Sequence, residues 1–308
     1  MAAQGSKKVV IAAFLGNGLI AVTKFVAAAM TGSAAMFSEA VHSLADTTNQ
    51  ALLLYGMTRA ARPADARHPF GYGRELYFWA FVVAILIFAA GAGVSLYEGI
   101  AKLQHPEPVT DAYINYIVLG LAIVFEGGSF FVALKEFNKV KGGRGYLAAV
   151  RVSKDAALFT VLLEDSAALL GLLIALTGIA LSEALDVPAL DAVASILIGL
   201  MLAGVALLLA YETKGLLIGE AADPAVEAEL RRILAAERGI LRINELLTMH
   251  LGPRDVLLNL SLDFKGGLTS DEVERAISAL ERRIKAARPE ITRVFIEAQD
   301  RRGHERGW

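Results

Sequence analysis

The chain has 308 residues, of which 55% are hydrophobic and 20% charged; 30 Lys and Arg face 32 Asp and Glu, for a formal charge of −2. A mean hydropathy of +0.50 excludes an ordinary soluble domain. Cysteine is absent, which excludes disulfides and thiolate metal ligands and leaves imidazole and carboxylate as the strong ligands.

A bilayer-crossing helix needs about 20 mainly apolar residues. Six stretches qualify, at roughly 9–30, 33–57, 76–102, 112–134, 156–181 and 190–211. The first follows the polar start MAAQGSKK and has no small-residue cleavage site behind it, so it reads as an anchor and not as a removable signal. Lys24 inside it is expected to snorkel toward the headgroups. Basic residues set the orientation. Lys7 and Lys8 precede the first span; Arg59, Arg62, Arg67 and Arg74 follow the second; Lys135, Lys139, Lys141, Arg144, Arg151 and Lys154 lie between the fourth and fifth. The opposite loops are nearly bare of Lys and Arg, Lys102 excepted, so both termini are expected on the cytoplasmic side, with the inner or plasma membrane of the cell as the location.

From Thr213 the pattern turns to alternating charged and apolar residues. Asp223 before Pro224 reads as a helix cap, and Val226, Leu230, Ile233 and Leu234 share one helical face. Strands are expected over 241–250, 256–264 and 291–298, with Leu258, Leu260, Leu262 and Phe264 alternating as on a half-buried strand. Val273, Ile277, Leu280 and Ile284 stripe a second helix. The order helix, strand, strand, helix, strand suits a ferredoxin-like α+β domain that pairs with a second copy. The expected fold is therefore an all-α six-helix transmembrane bundle over 1–212, followed by a cytoplasmic α+β ferredoxin-like dimerisation domain over 213–308.

Ionisable side chains inside spans are costly and mark functional sites. His42 and Asp46, four apart, project together from the second span, with Glu39 one turn earlier on a similar face. Asp165 adds a third group from the fifth span. Its neighbour Glu164 points about 100° away around the helix, so one of the two is a direct ligand, and Asp165 is preferred. Any one of these groups alone is as well explained by bonding to another polar group. Three on two spans, with no Lys or Arg read at their depth, point to a divalent cation. Nitrogen and oxygen ligation suits Zn2+ first, with Co2+, Fe2+ and Mn2+ as alternatives. Glu126 in the fourth span is read as a structural acceptor for a neighbouring helix, and Asn17, Asn49 and Gln50 as interhelical hydrogen-bonding groups. Asp191 is expected to cap the sixth span.

SEAVHSLAD on the second span, RPADARHPFGYGRE after it, LLEDSAALLG on the fifth, LDAVASILIGL on the sixth and LLIGEAADP beyond it form a specific set. Carrying them, the chain resembles the cation diffusion facilitators, membrane exporters that exchange zinc and related divalent metals for protons. The resemblance covers essentially the whole chain. It implies a transport site of two residues four apart on the second span, matched by His42 and Asp46, and two four apart on the fifth, of which only Asp165 matches. Val161 stands at the other position and cannot bind metal, as in a branch of the family with Leu-Glu-Asp here; Glu164 or Glu39 is expected to make good the deficit. The resemblance also implies a loop metal site, of which Asp65 and His68 match while the third position is Tyr72. A zinc cluster of the soluble domain is not expected, since Asn244, Ser261, Glu297 and Gln299 occupy its strands.

The expected activity is metal/proton antiport by alternating access, not catalysis, with His42, whose free pKa lies near 6.5, as a proton exchanger. The partners expected are the ion, protons, lipid and a second copy of the chain, with no nucleic acid and no organic cofactor. Two alternatives stay open: a membrane-embedded zinc hydrolase using His42, Asp46 and Asp165 to activate water, and a transport-inactive metal sensor or scaffold.

Overall fold

The computed structural model describes residues 2–31, 34–104 and 112–306, and within these ranges some side chains, among them Glu39 and His42, lie outside the described residues. Two compact units emerge: 1–59 with 75–214, and 60–74 with 215–308.

The first unit is helical. It comprises α1 (Ala2–Thr31), α2 (Ala34–Ala60), α3 (Glu75–Leu86), α4 (Gly93–Gln104), α5 (Ala112–Val140), the short α6 (Tyr146–Val152), α7 (Ala156–Leu185) and α8 (Ala189–Ile218). Among the described residues five helical segments are long and apolar enough to cross a membrane: Gly5–Val26, Glu75–Gln104, Tyr116–Val140, Ala156–Leu185 and Ala189–Ile218. The expected second span, α2, is 27 residues long but interrupted by Glu39, His42, Asp46, Asn49 and Gln50, and it is not among the five. The protein is an integral, multi-pass helical membrane protein.

The third expected span is not one regular helix. A π-helical turn at Ile87–Ala92 joins α3 to α4. Hydropathy cannot register such a change of hydrogen-bond step, because a π turn keeps the same apolar residues inside the helix.

Local chemistry fixes the ends. Asp155 caps α7, its Oδ1 accepting from the Leu158 N–H at 3.2 Å while Oδ2 accepts from the Ser6 hydroxyl of α1. Asp191 lies in the first turn of α8, and its side chain accepts from Lys102 at 3.1 Å instead of making the expected cap. α4 meets α8 at small residues, as helices in lipid commonly do. A Cβ on Gly99 would stand 2.9 Å from the Ile196 backbone nitrogen, and one on Gly199 3.0 Å from that of Leu96. Gly99→Ala is therefore expected to lower the thermal unfolding midpoint in detergent by the equivalent of about 1–3 kcal/mol of overpacking. Gly120→Ala, where nothing stands within 4 Å, should leave it within the error of the melt; equal midpoints for the two would remove the close approach as a packing constraint.

In the second unit, α9 (Pro224–Ala235) starts at Asp223, whose Oδ1 accepts from the Ala225 N–H at 2.8 Å. β1 (Ile240–Gly252) and β2 (Asp255–Phe264) form an antiparallel hairpin. α10 (Ser270–Ala287) crosses to β3 (Ile291–Ala298), which pairs parallel to β2. The sheet order is β1-β2-β3, and α11 (Arg301–Arg306) follows. Leu258, Leu260 and Leu262 point into a core closed by Leu230 and Leu234 of α9 and by Leu280 and Ile284 of α10. This is the expected helix, strand, strand, helix, strand order.

The segment 60–74 packs as part of this unit, a placement that the sequence does not signal. Phe70 lies under the Arg293 guanidinium, 5.2 Å from ring centroid to Cζ, and Arg74 Nη2 donates to Met249 Sδ at 2.9 Å. Gly73 runs so close to β1 that a Cβ there would stand 2.4 Å from the Leu251 carbonyl oxygen.

Candidate metal-transport site

Asp165 sits in the first third of α7 and is 1% exposed. Its Oδ2 accepts from Ser129 Oγ of α5 at 2.7 Å, while its Oδ1 is buried and has no hydrogen-bond partner. A buried carboxylate oxygen without a donor is rare and needs a physical explanation.

Glu164 turns the other way, as the 100° offset requires. Its Oε1 accepts from Asn49 Nδ2 at 3.0 Å and its Oε2 from Gln50 Nε2 at 2.7 Å, both on α2. These amides thus bond between helices as expected, and they tie the two helices that carry the candidate ligands. Both oxygens of Glu164 are engaged by carboxamides.

Glu126 of α5 is 6% exposed, and its Oε2 is buried without a partner. The structural-acceptor role expected of it is therefore unfulfilled at that oxygen. Asp46, half-buried on α2, lies within electrostatic reach of Glu126, Glu164 and Asp165. Lys24 corrects its expected placement. It is buried, donates to Ser43 Oγ of α2 at 2.9 Å and stands within electrostatic reach of Glu126, so it does not snorkel. A hydroxyl one helix away offers the ammonium a partner that hydropathy along α1 alone does not reveal.

Glu39 and His42 are helical on α2, and their side chains lie outside the described residues. Among the described residues no three His, Asp or Glu side chains stand together closely enough to hold a metal ion. Asp46, Glu126, Glu164 and Asp165 stand within electrostatic reach of one another instead. Ser129 was not singled out in the sequence; a hydroxyl three residues after Glu126, on the same helical face, was the available signal.

Asp65 and His68 belong to the other unit. Asp65 Oδ1 accepts from the Arg67 and His68 N–H groups at 2.9 and 2.7 Å, and Oδ2 accepts from the Tyr72 hydroxyl at 2.7 Å. His68 packs its ring on Tyr72, centroids 4.3 Å apart. The Tyr72 hydrogen bond, followed by that of the His68 N–H, holds the Asp65 carboxyl below its ordinary value of 3.8. A depressed carboxyl stabilises the loop above its unfolded value, and that contribution is lost as pH falls through the folded value. Tyr72→Phe is expected to move the Asp65 titration upward, read by carboxyl-carbon NMR on the full chain; an unmoved titration would discard Tyr72 as its principal partner.

Residues 10–218 match the model of the cation efflux transmembrane domain. The chain belongs to the cation diffusion facilitator family. Among similar proteins is the mitochondrial proton-coupled zinc antiporter SLC30A9 of Xenopus laevis, 36% identical over 265 residues that make up 85% of this chain and 47% of the relative. Metal tolerance protein C4 of Arabidopsis thaliana is 29% identical over 265 residues, covering 85% of this chain and 58% of that protein. The probable cation efflux system protein Rv2025c of Mycobacterium tuberculosis is 26% identical over 282 residues, 91% of this chain and 80% of its own length. The chain thus spans about half the length of the antiporter it matches.

Proposed function

We propose that this cation diffusion facilitator exports a divalent metal cation, Zn2+ first, in exchange for protons, by alternating access around a site between α2 and α7. The observation that carries the reading is Asp165 Oδ1, a carboxylate oxygen buried within α7 with no donor and with Asp46 in electrostatic reach. Family membership and the SLC30A9 relatives, which are proton-coupled zinc antiporters, support it.

His42, Asp46 and Asp165 are the proposed ligands. His42 must offer a lone pair and the carboxylates their charge, so bound metal and bound protons compete at the same atoms. Opening toward the cytoplasm admits the ion and releases protons, and opening toward the far side reverses the exchange. Segment 213–308 serves as a cytoplasmic dimerisation domain in this reading, residues 1–212 form six spans, and both termini are cytoplasmic.

Reconstitution into liposomes tests the proposal. Zinc should enter vesicles when an outward-directed proton gradient is imposed, with the gradient dissipating faster in the presence of zinc. Turnover of a substrate without flux would replace the proposal with a hydrolase, and metal binding without flux or turnover would replace it with a sensor.

A further inference from the structure

Val161 leaves the expected ligand set one group short, and Glu164, the neighbouring carboxylate, already accepts from Asn49 and Gln50. Besides Gln50 Oε1 on α2, buried acceptor oxygens without a partner occur on α1, α5 and α7. Asn17 of α1 is 3% exposed with Oδ1 unpartnered, Glu126 of α5 has Oε2 unpartnered, and Asp165 of α7 has Oδ1 unpartnered.

These three residues stand at one level of the bundle. Gly16, the residue before Asn17, faces the Phe125 carbonyl and Ser129 Cβ, at 3.7 and 3.8 Å from the position of a Cβ. Ser129 in turn touches Asp165. The register agrees, because Ser6 of α1 bonds to Asp155 of α7. Asn17 lies 11 residues beyond Ser6 and Asp165 lies 10 beyond Asp155, rises of about 16 and 15 Å at about 1.5 Å per residue. Asn17 also falls on the helical face that holds buried Ser6, Val10, Ala13 and Lys24. Glu126 and Asp165 interact electrostatically, as do Glu126 and Asp46. Lys24, in reach of Glu126, leaves Oε2 without a hydrogen bond.

Three acceptor oxygens buried at one level of the bundle without a donor are costly unless something electropositive reaches them. Two carboxylates and one carboxamide oxygen add hard oxygen donors to His42 and Asp46, the proposed ligands on α2. We propose that Glu126 is a ligand of the transported ion, which it holds together with Asp165 and Asn17 on the α1, α5 and α7 side, and that it supplies the group missing at Val161. This rests on the transport reading above. It also makes α5 part of the ion path, where the motifs on the second and fifth spans alone would confine the path to α2 and α7.

The test is Co2+ binding to the purified full chain, read by titration and by the visible absorption of the bound ion. Glu126→Gln should weaken binding by at least about 10-fold, the lower end of what even a supporting partner of a ligand contributes, and should change the absorption bands. Asn17→Ala should weaken it less, and Glu164→Gln should leave the bands in place. Should Glu126→Gln fail to fold, Glu126→Asp provides the same readout: shifted bands support the proposal and unshifted bands overturn it. If Asp165→Asn abolishes binding while Glu126→Gln binds like the parent, only the role of Glu126 falls. If Asp165→Asn also binds like the parent, the transport site itself is misplaced.

Discussion

Asp165→Asn abolishes zinc flux in proteoliposomes, a loss expected to exceed the roughly 100-fold that removal of a supporting partner costs a metal site. The substitution is chosen because it changes little else. A carboxamide matches the carboxylate in volume, and its oxygen can still accept from Ser129 Oγ, so the contact between α7 and α5 is kept. What disappears is the negative charge at a point 1% exposed to solvent, in a span that offers the ion few alternatives. Asp46→Asn should act in the same direction, because Asp46 is a proposed ligand in electrostatic reach of Asp165. Elution in size-exclusion chromatography should match the parent for both variants. A folded Asp165→Asn protein that moves zinc at the parental rate would exclude Asp165 from the site.

Much of the scaffold was readable because it depends on local periodicity. The stripe of Leu280 and Ile284 on α10 and the alternation of Leu258, Leu260 and Leu262 on β2 meet in one core, as 3.6- and 2-residue periods require. The cap at Asp223 was readable for the same reason, since its partner is two residues away. The site was readable as residue types at helical spacing, because carboxylates in a span stand out against their cost. Its wiring was not. Glu164 finds Gln50 114 positions away in sequence, and Lys24 finds Ser43 on a different helix; no period along one helix reveals which neighbour a polar atom faces. The docking of the 60–74 loop on β1 depends in the same way on a glycine backbone passing beside a distant strand.

The Asn49, Gln50 and Glu164 clasp yields the largest stability effect. Asn49→Ala with Gln50→Ala leaves the Glu164 carboxylate buried without either amide, and hydrogen bonds to a charged group are worth about 1.5–3 kcal/mol each. The expected loss is about 3–5 kcal/mol, the range for a buried charge stripped of its partner, read as a lower thermal midpoint in detergent. Adding Glu164→Leu should restore most of the midpoint, because removing both sides of a buried polar contact is close to neutral where removing one side is not. The three residues touch, so their effects should be strongly non-additive, with an interaction energy of about 0.5–3 kcal/mol in the cycle. Zinc flux separates stability from function. The triple variant has a restored midpoint but no polar latch between the helix bearing Asp46 and the helix bearing Asp165, so its flux should stay below the parent's. A triple variant as unstable as the double would show that loss of the alanine-truncated packing, and not an unpaired carboxylate, sets the cost.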